Sequence, residues 1–316
     1  MPGSSSLGYV SGTADAMHFE SLAIHPVAAL SIDTTPSTPS GQAIPRRTLT
    51  LWNAAMTLFH TALATITLVL GNRDLSIPLY KTVLTFKNAT ELNVTNGWSV
   101  VPEYRETFGF PMTIFVATFF ILSAVFHLLN ATLLRDYYLR ELAQCRTPTR
   151  WAEYFLSAPV MIAILAVTLG ERDRSTLLAL VVLVAITMPF GYWVEWMGVP
   201  RSADEWTHPL STRLLPWVLG HVPQTTAWFL LLVLFYDGSA GAADRIPSFV
   251  YIIVWVEAVL FFSFGAASFW SQWGPPRLFY RGEQLFQILS LLSKGLLGGL
   301  LLANVLVLSE FEEIYT

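Results

Sequence analysis

The residue of this chain best placed to do chemistry is a lysine in the middle of an apolar segment. Lys294 lies within the stretch 291–299, at least eleven residues from either end of an apolar block that we place at 283–308. At 1.5 Å per residue this depth is roughly 16 Å, which is too far for the side chain to reach a membrane surface. Lys294 must therefore pair with an intramembrane acid or be chemically modified, and an amine in such a pocket readily condenses with an aldehyde.

A carboxylate that could accompany this amine begins another apolar block. Glu153 follows Arg150 by three residues, and helical spacing places both on one face with Ser157 and Met161. Glu153 could form an interfacial ion pair with Arg150, or it could supply the anion that a cation on Lys294 would need. The sequence leaves both interpretations open.

Two histidines lie well inside the first two apolar blocks. Asn53 and His60 are seven residues apart, while Ser123, His127 and Asn130 are spaced by four and three, so each set shares one helical face. Together they could form a polar cluster between two helices. Such histidines act either as hydrogen-bonded packing residues or as a proton relay.

Two further carboxylates lie inside apolar blocks, where an ionisable residue is a functional candidate. Glu195 is near one end of the fourth block, where we expect it to reach water and to serve in structural pairing. Glu257 is ten residues into the sixth block, near mid-bilayer, and must be protonated or partnered there. With Arg150, His60 and His127, these two residues form our set of candidate proton-handling groups.

The elements that position these side chains are membrane-spanning helices. Hydrophobic residues make up 53% of the 316 residues and charged residues only 13%, about half the share of a soluble domain. Seven apolar blocks are each long enough to cross a hydrocarbon core of about 30 Å as a helix. We place them at 49–70, 110–134, 150–169, 175–198, 213–236, 247–270 and 283–308. The predicted fold is an all-α, seven-helix membrane bundle.

The distribution of Lys and Arg predicts the orientation of this bundle. The side that holds the N-terminus, here called side A, carries ten Lys and Arg residues, and the opposite side B carries seven. This favours a cytoplasmic N-terminus and an external C-terminus. The long first loop, 71–109, would then be external. Alternating stretches at 80–86 and 92–94 predict a short β-hairpin in it.

Other features bound the organisation of the chain. Residues 1–44 are rich in Ser, Thr, Pro and Gly, which predicts a disordered tail. We assign residues 45–309 to the membrane domain and residues 310–316 to an acidic tail.

We see no cleavable signal peptide. The net charge of −4 and the absence of a basic run argue against nucleic-acid binding. Cys145 is the only cysteine, which excludes an internal disulfide and a multi-cysteine metal site. The expected partner is a lipid bilayer, and we predict no metal site.

The sequence resembles the heliorhodopsins, a family of retinal proteins distinct from the ion-pumping microbial rhodopsins. The resemblance covers roughly residues 49–309. Its most specific pieces are Ser290-x-x-x-Lys294-x-x-Leu297-Gly298 and Arg150-Trp151-x-Glu153-Tyr154-x-x-Ser157-Ala158-x-x-Met161. Supporting pieces, in the right order, are Asn53 with His60, Leu122-Ser123-Ala124 with His127, Gly191 with Glu195, and Phe261-Phe262-x-Phe264 ending at Gln272.

The resemblance implies a light-absorbing photoreceptor rather than an enzyme. Lys294 would carry all-trans retinal as a protonated Schiff base, Glu153 would be its counterion, and Ser123 and Ser290 would hydrogen-bond nearby. The remaining residues of the expected retinal pocket are Tyr154, Ser157, Met161 and Phe261. The resemblance also implies a cytoplasmic N-terminus and a homodimer in which the first external loop takes part.

The chain departs from the family pattern at three places: the long N-terminal tail, His221 and Glu257. Because of Glu257, a light-activated proton conductor, with protons as the transported ion, remains an alternative to a sensory photoreceptor. A third interpretation, a membrane hydrolase with a histidine-based metal site, is poor because intramembrane His and Asp residues are too few.

Overall fold

The computed structural model describes residues 45–88, 98–240 and 246–306. Within these residues seven helices are long and apolar enough to cross a membrane, as predicted. The predicted tails, 1–44 and 310–316, lie outside the described residues.

The helices and strands follow one another along the chain with few long connections. Their bounds are α1 Arg46–Leu70, β1 Ser76–Asn88, β2 Trp98–Pro111, α2 Met112–Ala131, α3 Arg135–Ala143, α4 Pro148–Thr168, α5 Arg174–Met197, α6 Leu210–Arg213, α7 Leu215–Ser239, α8 Ser248–Trp273 and α9 Phe279–Leu301. A 3₁₀ turn, Pro276–Leu278, precedes α9, and a π-helical turn, Leu302–Leu306, extends it. The spans are α1, α2, α4, α5, α7, α8 and α9.

Local sequence explains where several spans begin. Pro111 and Pro247 immediately precede α2 and α8, and Pro148 is the first residue of α4. Proline has no backbone N–H, and at the start of a helix that N–H would have no partner within the helix. The Asp173 carboxylate caps α5 by accepting a hydrogen bond from the Thr176 backbone N–H at 2.8 Å. Gly170 turns the chain between α4 and α5 with a φ of +96°. These are two separate spans, as the polar turn predicted.

The seven spans form a closed ring. Going round it, α1 packs on α2, α2 on α4, α4 on α5, α5 on α7, α7 on α8, α8 on α9, and α9 returns to α1. The largest buried share of any span belongs to α4. Large apolar side chains on the outside, such as Leu58, Val259 and Phe229, are mostly exposed. They form the surface that lipid tails cover.

The first loop contains the predicted hairpin. β1 and β2 pair antiparallel from Ser76 with Pro111 to Asn88 with Trp98, with a bulge at Leu79 and Tyr80. The second strand lies later than predicted, and residues 92–94 are outside the described part of the chain. A backbone hydrogen bond of 2.9 Å from Tyr80 N–H to the Arg172 carbonyl ties the hairpin to the α4–α5 turn.

The predicted second block, 110–134, ends sooner than expected as a helix. α2 stops at Ala131, because Thr132 leaves the helical conformation with φ −125° and ψ −96°. The chain then forms the amphipathic helix α3 on side A. Its buried residues Tyr138, Leu139 and Leu142 pack in one cluster with Leu49 and Phe279. Thus α3 closes the side-A end of the bundle between α1 and α9.

Candidate functional site

The structure brings Lys294 and Glu153 into direct contact near the middle of the bundle. Lys294 on α9 is 2% exposed, and its Nζ donates to Glu153 Oε1 on α4 at 2.6 Å and to Ser290 Oγ at 3.0 Å. The same Glu153 oxygen accepts a hydrogen bond of 2.7 Å from Ser123 Oγ on α2. Four residues singled out from the sequence therefore form one buried cluster that joins three helices.

Arg150 does not pair with Glu153, although the two share a helical face. Its guanidinium donates instead to Glu195 on α5 and to Glu283 on α9. All three side chains are nearly fully buried, so the expectation that Glu195 reaches water is wrong. The reason is that the chain before α4 covers it: the Thr147 backbone N–H donates to Glu195 Oε2 at 2.7 Å, and the Thr147 hydroxyl donates at 2.9 Å.

Glu283 is a member of this arrangement that the sequence analysis missed. It accepts hydrogen bonds from Tyr138 Oη at 3.0 Å and from Gln287 Nε2 at 3.2 Å. Glu283 is the first residue of the seventh apolar block, and carboxylates at the end of a span usually meet water. Its spacing was a usable signal, since Glu283, Gln287, Ser290 and Lys294 follow one another by four, three and four residues on one face.

The predicted histidine cluster is present between α1 and α2. His127 Nδ1 donates to Asn53 Oδ1 at 2.9 Å, and Asn53 Nδ2 donates to the Leu49 carbonyl at 3.0 Å. The His60 ring stacks on His127, with centroids 5.7 Å apart and planes 4° apart. Among the described residues neither His60 nitrogen has a hydrogen-bond partner, and Asn130 Oδ1 is likewise unpaired. The cluster thus holds buried polar atoms that direct contacts leave unsatisfied.

Glu257 contacts the residue that precedes Lys294 on α9. It is fully buried on α8, and its Oε2 accepts a hydrogen bond of 2.7 Å from Ser293 Oγ, the residue before Lys294. Its Oε1 has no partner in the described chain. Glu257 is nine residues from the side-B start of α8, at Ser248, whereas Glu153 is five residues from the side-A start of α4. Glu257 therefore lies nearer side B than Glu153 does.

A cavity extends from Lys294 into the bundle between five helices, α4, α5, α7, α8 and α9. About 800 Å³ within it is not filled by protein atoms, a volume that includes the part open to the outside. The predicted pocket residues that line it are Tyr154, Ser157, Met161, Phe261, Ser290 and Lys294. Glu153 and Ser123 are not part of its wall and lie behind the amine.

The walls of this cavity suit a long apolar ligand. Trp151, Tyr154, Phe261 and Phe264 supply aromatic surface. Trp151 can lie against α5 only because Gly191 has no side chain, since a Cβ there would overlap the indole ring. An apolar tunnel that ends at an amine beside a carboxylate fits a polyene aldehyde. Among the described residues, no group of three or more His, Cys, Asp or Glu residues is arranged to hold a metal ion.

Comparison with known proteins identifies the family. The family model named Heliorhodopsin matches residues 49–306, well over half of the chain. The chain belongs to the heliorhodopsin family. Heliorhodopsins bind retinal as a chromophore and are light-sensing or ion-moving membrane proteins rather than classical enzymes. This heliorhodopsin is therefore a retinal-binding, light-sensing protein that crosses the membrane several times.

Solved structures share the fold of this heliorhodopsin at low sequence identity. The thermophilic rhodopsin from Rubrobacter xylanophilus is 17% identical with a TM-score of 0.52, over 81% of this chain and 95% of that chain. Xanthorhodopsin, a light-driven ion pump with a dual chromophore, is 13% identical with a TM-score of 0.55, over 86% of this chain and 97% of that chain. At these identities the likeness shows the fold alone. No curated protein sequence matches this heliorhodopsin.

Proposed function

We propose that this heliorhodopsin is a photoreceptor in which Lys294 holds all-trans retinal as a protonated Schiff base and Glu153 is the counterion. The observation that carries this proposal is the 2.6 Å contact between the Lys294 amine and the Glu153 carboxylate at the end of the apolar cavity. The link forms when the amine condenses with the aldehyde and one water molecule leaves. Bound retinal supplies the absorption of visible light and a double bond that isomerises.

The residues around the amine suit a permanent positive charge. A buried cation is stable only when it is paired and its hydrogen-bonding capacity is met. Glu153 supplies the anion, and the Ser123 hydroxyl stabilises the charged carboxylate by donating to it. Ser290, one turn before Lys294, offers a second acceptor at 3.0 Å. We infer that these groups keep the linkage nitrogen protonated and orient its N–H toward Glu153.

The proposed pocket residues are held in place by their own contacts. The Tyr154 hydroxyl donates to the Phe286 carbonyl on α9 at 3.2 Å. The Tyr154 ring then faces the amine, with Lys294 Nζ 5.1 Å from the ring centroid. Phe261 packs edge-to-face on Trp228, with ring centroids 5.2 Å apart. Met161 is nearly fully buried beside them. These side chains would restrict which bonds of the polyene can rotate.

The surface of the hairpin supports the proposed homodimer, and the charge count supports a cytoplasmic side A. Leu84, Phe86 and Tyr104 on the hairpin are about 70% exposed. Apolar side chains exposed in a loop outside the membrane mark an interaction surface. A second copy of the chain, paired through the same hairpin, would cover them.

The test of the proposed function is reconstitution. Purified protein given all-trans retinal should become coloured, whereas Lys294→Ala should stay colourless, because the amine that forms the link is gone. Lys87→Ala on the hairpin is the matched control and should become coloured like the parent. A coloured Lys294→Ala protein, or a parent that stays colourless, would refute the proposal.

A second candidate function, a light-activated proton conductor, is supported by one specific observation. Glu257 is fully buried, lies nearer side B than Glu153 does, and accepts a hydrogen bond from Ser293, the residue before Lys294. With His60 and His127 on side A, and Arg150 with Glu195 beyond them, ionisable groups would then lie on both sides of the Schiff base. Illumination of expressing cells under voltage clamp decides between the two functions. Absence of photocurrent at every voltage, or a current unchanged by Glu257→Gln, rules out this route.

A further inference from the structure

The wall of the cavity opposite Lys294 carries polar side chains. α7 contributes Trp217, Gly220, His221 and Gln224, spaced by three and four residues so that they share one face. We call these four residues the distal wall. α7 packs on α5 and α8, whereas Lys294 belongs to α9, which packs on α8 and α1. The distal wall therefore lies across the cavity from the amine.

His221 presents a hydrogen-bond acceptor at this wall. Its Nδ1 is 2.8 Å from the Trp217 carbonyl oxygen, which can only accept, so Nδ1 carries the proton and donates. In the neutral ring Nε2 is then an acceptor, and in the described chain nothing donates to it. Gly265 on α8 leaves room for Nε2, since a Cβ at Gly265 would lie 2.6 Å from it. Trp217 fixes this edge of the wall by donating from Nε1 to the Gly265 carbonyl at 2.8 Å.

Gln224 presents a second acceptor one turn further along α7. The residue is 6% exposed, it lines the cavity, and its Oε1 has no partner among residues 45–88, 98–240 and 246–306. A buried amide oxygen without a donor is unusual and costly in a folded protein. The distal wall thus holds two acceptors at the far end of a mostly apolar cavity.

We propose that the distal wall binds a hydroxyl group on the ring of the chromophore, so that the preferred ligand is a ring-hydroxylated retinal. This inference rests on the proposed function, because the aldehyde carbon must be on Lys294. The retinal ring is at the opposite end of the polyene and would point toward the distal wall. A hydroxyl supplies the donor that His221 and Gln224 lack. Unsubstituted retinal supplies none, and a ring ketone can only accept.

Competition between two aldehydes for the same apoprotein tests this inference. The purified apoprotein is given equal amounts of all-trans retinal and its ring-hydroxylated derivative, and the bound retinoids are released with hydroxylamine and quantified. One net hydrogen bond corresponds to a preference of about three- to tenfold for the hydroxylated form. His221→Phe and Gln224→Leu should each reduce the preference. Thr226→Val, at an exposed position of α7, should retain it.

A third aldehyde, with a methoxy group in place of the ring hydroxyl, tests the donor in the unaltered protein. It keeps the oxygen but cannot donate, so it should lose the preference. Equal uptake of the hydroxylated and unsubstituted forms overturns the inference, as does a preference that survives both substitutions. Colour with any of the aldehydes still supports the proposed function, whereas absence of colour with all of them overturns the proposed function itself.

Discussion

Removal of the Arg150 side chain should destabilise this heliorhodopsin more than removal of any exposed arginine. Arg150 is the only cation that contacts Glu195 and Glu283 among the described residues, and all three are nearly fully buried. Arg150→Gln leaves two carboxylates without a countercharge in a region that water reaches poorly. Breaking a buried ion pair in this way costs about 3–5 kcal/mol. The guanidinium also packs 3.7 Å from the Phe286 ring centroid, and this contact is lost as well.

The assay is thermal denaturation of the retinal-loaded protein, followed by loss of its visible absorption. At the scale of domains of 150–250 residues, a loss of 3–5 kcal/mol lowers the melting temperature by roughly 6–20 °C. Arg277→Gln is the matched control, since Arg277 pairs with Asp204 at the surface and both side chains are about half exposed. Such an exposed pair contributes about 0–1 kcal/mol to the free energy of unfolding.

A compensated variant tests the reasoning itself. Changing Glu195 and Glu283 to Gln together with Arg150→Gln removes every charge of the cluster, and neutral replacement of a buried ionic cluster is often tolerated. The triple variant should therefore recover most of the lost stability. If Arg150→Gln melts like Arg277→Gln, or if the triple variant is as unstable as the single one, the account of this cluster as a charge-balanced link is wrong.

Three further predictions concern the chromophore, the dimer and the cysteine. Glu153→Gln should shift the absorption to longer wavelength, because a weaker counterion lets positive charge spread along the polyene; an unchanged spectrum removes Glu153 from that role. Phe86→Ser on the exposed hairpin should shift the detergent-solubilised protein from dimer to monomer in light-scattering measurements, whereas Leu133→Ser, an exposed leucine on the opposite side of the membrane, should not. Burial raises the pKa of the Cys145 thiol to about 12, so little thiolate forms at pH 8. Maleimide should therefore label Cys145 much more slowly than a cysteine introduced by Ser202→Cys, and equal labelling rates would contradict the buried position.

Much of the fold could be predicted from the sequence because the bilayer imposes a local rule. A span needs about 20 apolar residues in succession, and this requirement can be read from one segment at a time. The same rule exposed Lys294 and Glu257, since a charged group is costly at that depth wherever its neighbours lie. The predicted end of the second span, residue 134, is wrong for a local reason too. An apolar run does not show where the chain leaves the membrane, and here the helix ends before the exposed Leu133.

Helical spacing also predicted which side chains share a face. It placed Ser123 with His127 and Asn53 with His60, and the structure has all four buried in the inward-facing parts of α1 and α2. Spacing says nothing, however, about which neighbouring helix that face meets. The choice between Arg150 and Lys294 as the partner of Glu153 therefore stayed open in the sequence.

What the sequence alone determined is a bundle of seven spans with a buried amine, since both follow from the free energy of placing each residue in lipid. What only the tertiary structure decided is the pairing of the charges. Glu153 meets a lysine 141 positions away, and Arg150 meets Glu283 133 positions away. Such contacts depend on how α4 and α9 are placed and rotated within the ring, which is a property of the whole ring of helices and of no single segment.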